Sequence, residues 1–99
     1  MSLAERVRVT VAALMHATGE SQARLAEAAG VTQGQVSRRQ SGSAAWSLDD
    51  CDLLAAHYGI DVLDLLAGPS RACEALPDIR RAGHRRHRTT TTTAAGRRR

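Results

Sequence analysis

The sequence predicts an all-α fold, a compact five-helix bundle over residues 1–68 followed by a disordered, basic tail over residues 69–99. Three observations carry this. Apolar residues recur at helical spacing in successive segments. A Ser, Thr or Asp precedes each segment and a Gly follows it, as helix starts and stops require. Beyond Pro69 both patterns fade into low complexity.

The first helix starts after Ser2. Ser2 and Glu5 fit a capping box, in which each side chain satisfies the other's free backbone amide. Leu3, Val7, Val11, Leu14 and Met15 give it one apolar face, and Gly19 ends it. Ser21 caps a second helix, Gln22 to Ala29, with Leu25, Ala26 and Ala29 inward. Gly30 forces a turn. Thr32 and Gln35 form another capping box and open a third helix that ends near Gly42. The stretch "SGSAA" is a loop. Ser47 with Asp50 opens a fourth helix, Leu48 to Tyr58, whose stripe is Leu48, Cys51, Leu54, Ala55 and Tyr58. Asp61 caps a fifth, "VLDLLA", and Gly68–Pro69 closes the domain. "SRACEAL" is at most one weak turn. "GHRRHRTTTTTAAGRRR" has no apolar residue larger than Ala, so it cannot bury enough surface to offset its ordering entropy.

With 99 residues, the chain has room for one small domain. Trp46 and Tyr58 are its only aromatics, so aliphatic residues must build the core. Every basic residue is Arg. Residues 1–68 carry five Arg against eight acids, a net of −3; residues 69–99 carry nine Arg against two acids, a net of +7. A basic tail on a mildly acidic domain suits a polyanion, nucleic acid before membrane, or is simply solvated. No apolar run approaches the roughly 18 residues of a membrane span. Nor is there a signal-peptide layout. Cys51 and Cys73 read as reduced thiols of a cytoplasmic protein. His16 and His57 read as single surface residues, and His84 and His87 lack the acid or Cys neighbours of a metal site. No metal, cofactor or small-molecule ligand is expected. With no Ser-His-Asp set, paired carboxylates or phosphate loop, nothing points to an enzyme.

The informative stretch is "QARLAEAAGVTQGQVSRR". Two short helices that meet steeply need a small residue at the crossing, here Ala26, and a glycine at the turn, here Gly30. Val31 and Val36 then anchor the pair. At about 100° per residue, Val36 points inward with Gln33, Arg39 and Gln40 nearest to it. Gly34 and Arg38 lie opposite, flanked by Ser37 and Gln35. This outer set suits base edges, because Arg can grip guanine and Gln adenine through paired hydrogen bonds. Gln35 equally suits a role confined to the capping box. Gly34 costs about 1 kcal/mol in a helix interior. It lets the backbone approach DNA, leaves room for a thymine methyl, or is merely tolerated. Arg39 sits where an apolar residue is expected. Either its stem covers core and its head reaches a phosphate, or it stacks on Trp46.

"SQARLAEAAGVTQGQVSRRQSG" and "WSLDDCDLLAAHYGIDVLDLL" together resemble the lambda-repressor-like, Cro/XRE-type helix-turn-helix family over residues 3–67. The Trp-Ser-Leu version resembles small regulators from actinobacterial phages. The resemblance implies a five-helix domain whose third helix enters the DNA major groove, and frequent dimerisation. It implies phosphate contact by Gln22. The outward face of the third helix assigns base reading to Gln33, Gly34, Gln35, Ser37 and Arg38, and Thr32 and Arg39 are further phosphate candidates, Arg39 departing from the apolar residue the family favours. The expected partner is double-stranded DNA, bound in the cytoplasm at the nucleoid by a repressor or Cro-like regulator. A homodimer through Leu63, Leu65 or Leu66 is one expectation; completion of the core by these leucines is the other. An antitoxin with a protein partner, and an interaction module that has lost DNA binding, are the competing functions.

Overall fold

The computed structural model describes residues 1–82 and contains helices and connecting loops, with no strand among them. Its elements are α1 (Leu3–Thr18), α2 (Gln22–Ala29), α3 (Gln33–Ser41), α4 (Leu48–Tyr58), α5 (Val62–Ala67) and α6 (Pro69–Ala75), followed by a single 3₁₀ turn, Asp78–Arg80. The expectation for residues 83–99 lies outside the described residues.

The helix starts follow from side-chain chemistry. Ser2, Thr32 and Ser47 each complete a reciprocal box, with Glu5, Gln35 and Asp50 as partners. Ser21 accepts from the Arg24 amide, and Asp61 from the Leu63 amide. Each such cap stabilises its helix by roughly 1 kcal/mol, which matters for helices of six to eleven residues that would not form alone.

All six helices contribute to one core. Val11, Leu14, Leu25, Val36, Leu54, Tyr58 and Leu65 are fully buried in it. Leu3 and Leu48 depart from expectation, at 51% and 73% exposed. Each is the first residue of its helix.

Two corrections concern the C-terminal side. The described residues form six helices rather than five, and Gly68–Pro69 does not close the folded unit. Gly68 adopts φ 124°, ψ 173°, a region open essentially only to glycine. It redirects the chain so that Pro69 occupies the first turn of α6, where a missing N–H costs nothing. The α6 helix packs on α1 and α5. Ala72 is fully buried at this contact and Leu76 is 3% exposed.

A polar cluster then fastens the 3₁₀ turn. Glu20, at the α1–α2 junction, has a side chain only 6% exposed. Its Oε2 lies 2.7 Å from His57 Nε2 and 3.5 Å from Arg80 Nη2. The Arg80 guanidinium also lies over the Tyr58 ring, 5.4 Å from its centre. Arg81 donates to the Cys73 and Leu76 carbonyls at 2.9 and 3.3 Å, capping the end of α6. His57 is therefore a structural partner of a buried carboxylate, not a free surface residue. Both cysteines are free; Cys51 is buried in α4, and Cys73 lies in α6 rather than in a tail.

Candidate functional site

The helix α3 is held by little of its own. Val36 is its one buried residue. The α2 helix packs against it, and the two are joined by Gly30, Val31 and Thr32. Gly30 takes a left-handed φ of 70° and ends α2, after which the Val31 amide donates back to the Ala26 carbonyl at 3.0 Å.

The residues singled out for base reading, Gln33, Gly34, Gln35, Ser37 and Arg38, are all exposed. No packing requires Gly34: an added Cβ would meet only Thr32 Oγ1, at an ordinary 3.8 Å. Gln35 completes the box, its Oε1 accepting from the Thr32 amide at 2.8 Å. That leaves its amide nitrogen free to donate elsewhere. Thr32 Oγ1 accepts from the Gln35 amide at 3.1 Å. Gln22 stands half-buried at the start of α2.

Arg39 belongs to a different environment. Its guanidinium carbon lies 5.3 Å from the centre of the Trp46 ring. Its Nε lies 3.5 Å from Asp50 Oδ2, an ion pair without the alignment of a hydrogen bond. Of the two sequence-based accounts of Arg39, stacking on Trp46 is the one present. Asp50 serves twice, since it also closes the Ser47 capping box.

Sequence reasoning passed over Gln40. Its side-chain Nε2 donates to the Arg8 carbonyl at 3.2 Å, and its Oε1 accepts from the Trp46 Nε1–H at 2.8 Å. One amide thus ties α3 to α1 and to the loop before α4. Its inward place beside Val36 was the available signal; that Arg8 and Trp46 would meet it was not.

Of the three candidate dimer leucines, Leu65 is fully buried and Leu66 packs against the core. Leu63 remains, 71% exposed. Among the described residues no group of three or more His, Cys, Asp or Glu is placed to hold a metal ion, and no helix is long and apolar enough to cross a membrane. His84 and His87 lie outside the described residues.

No family model, curated protein or solved structure matches the chain.

Proposed function

We propose that this protein binds double-stranded DNA in a sequence-specific way through the exposed face of α3, as the second helix of a helix-turn-helix. It acts as a transcriptional repressor or Cro-like regulator at the nucleoid, by occupying an operator and excluding polymerase.

The observation that carries the reading is the division of α3. One buried residue, Val36, anchors it, while Gln33, Gln35, Ser37 and Arg38 face solvent with no packing role. Guanidinium and carboxamide groups at the start and outer side of such a helix match the donor and acceptor pattern of base edges. Gln22, at the start of α2, is placed to position the helix pair on a phosphate. Two residues favour the reading as a protein-only module, Gly34 and Arg39. The stack of Arg39 on Trp46 and its pairing with Asp50 account for Arg39 within the fold, which leaves Gly34 as the remaining motive.

The test is selection of binding sites from random duplexes at two salt concentrations. The wild-type chain is expected to enrich one motif, and Arg38→Ala to lose the enrichment while keeping its helicity. No enrichment by the wild-type chain would overturn the proposal in favour of an interaction module.

A further inference from the structure

Beside α3 lies a groove of about 330 Å³ between α1 and the loop that follows α3. Arg8, Arg39 and the Gly42–Trp46 segment line it. A smaller depression, lined by Gln35, Arg38, Arg39 and Ala44, shares Arg39 and Ala44 with it. Arg39 and Ala44 thus border both the groove and the depression on the exposed side of α3.

The groove is built rather than incidental. Gln40 ties three of its walls together through its bonds to Arg8 and Trp46. Gly42 takes a left-handed φ of 91° that favours glycine, and a Cβ added there would meet Arg8 Nε at an ordinary 3.8 Å. The charges are uneven. Asp50 is engaged by Arg39 and by the Ser47 cap. Glu5, at the rim, accepts from the Ser2 amide at 2.9 Å, and this bond above all holds its carboxyl below the usual range. Arg8 is half-buried, and its guanidinium has no hydrogen bond or ion pair among the described residues, although its charge also helps to hold the Glu5 carboxyl low.

We propose that this groove receives a phosphodiester group of the DNA strand flanking α3, with Arg8 as the contacting residue. The inference rests on the duplex-DNA reading above and adds a contact from α1 that the sequence did not suggest. Guanidinium is suited to the task because its planar fork matches two phosphate oxygens. Such a contact fixes orientation and adds affinity but reads no base.

The experiment uses the full chain and two duplexes, one carrying the selected motif and one scrambled, across a salt series. Arg8→Ala is expected to weaken binding to both by a similar factor, about tenfold, and to lower the salt slope by about 0.9. Arg8→Lys should recover part of the affinity. A duplex series with single methylphosphonate substitutions guards against a folding defect. The wild-type chain should be sensitive at one flanking phosphate where Arg8→Ala is not. An unchanged salt slope, a loss confined to the selected motif, or identical methylphosphonate profiles would overturn the groove assignment while leaving the α3 reading intact. Failure of the wild-type chain to distinguish the duplexes would overturn both.

Discussion

The Arg39 guanidinium stacks on Trp46, with its central carbon 5.3 Å from the ring centre, and in the same place pairs with Asp50. A cation at the edge of a small core is thus provided with a π-face and a carboxylate. Arg39→Ala is expected to destabilise the fold by about 1–3 kcal/mol, since it removes the stack and leaves Asp50 without its cation. In a double-mutant cycle with Trp46→Leu, which removes the π-face, urea denaturation should show a coupling of about 0.5–1.5 kcal/mol. Additive effects would mean that the stack contributes nothing.

Gly34 offers a separation of stability from function. Because the space beside it is open, Gly34→Ala should stabilise the protein by roughly 0.5–1 kcal/mol. If the backbone of α3 lies against DNA at this point, the same change should weaken binding to the selected motif. A variant with higher Tm and unaltered affinity would show that the glycine is merely tolerated.

Leu76 tests the reach of the folded unit. At 3% exposed, beyond α6, it should cost about 2–4 kcal/mol on substitution by Ala. A Leu76→Ala variant that melts like the wild type would mean that the domain ends at Gly68.

Tyr58 should give the fold an alkaline limit. Its hydroxyl is buried without a hydrogen-bond partner. Burial first, then the negative charge of Glu20, pushes the phenol well above its ordinary value. The folded chain therefore favours the neutral phenol. This contribution is complete below the unfolded value of about 10 and is lost as pH rises beyond it. Urea midpoints should fall above about pH 10, and less steeply in Tyr58→Phe. At pH 7 that variant should lie within about 1 kcal/mol of wild type, because the hydroxyl makes no aligned hydrogen bond and gives up only its approach to Glu20.

The last prediction concerns Arg85, Arg86, Arg88, Arg97, Arg98 and Arg99. Residues 1–82 carry eight Arg against ten acids, so much of the general attraction to DNA should come from these six. Their replacement by Gln should reduce affinity for selected and scrambled duplexes alike. It should also flatten the salt slope, by up to about 0.9 for each phosphate no longer neutralised. Equal slopes before and after replacement would exclude such a role.

Local chemistry was legible in the sequence. Ser2, Ser21, Thr32, Ser47 and Asp61 announce the helix starts because a cap involves groups two or three residues apart. Val36 and the polar set around it follow from helical periodicity. The sixth helix was not legible, for the same reason: Gly-Pro reads locally as a stop. Only a fully buried Ala72 and a nearly buried Leu76 show that the chain turns back onto α1 and α5.

The sequence by itself determined that the chain is helical, where most helices begin, and which side of α3 faces outward. Tertiary structure alone decided what Arg39, Gln40 and His57 do. Arg39 meets Asp50 eleven positions on, Gln40 meets Arg8 across thirty-two residues, and His57 meets Glu20 across thirty-seven. Capping and periodicity act within a turn or two of chain, so they can be read in one dimension. An ion pair or a groove needs surfaces that only packing of the core brings together.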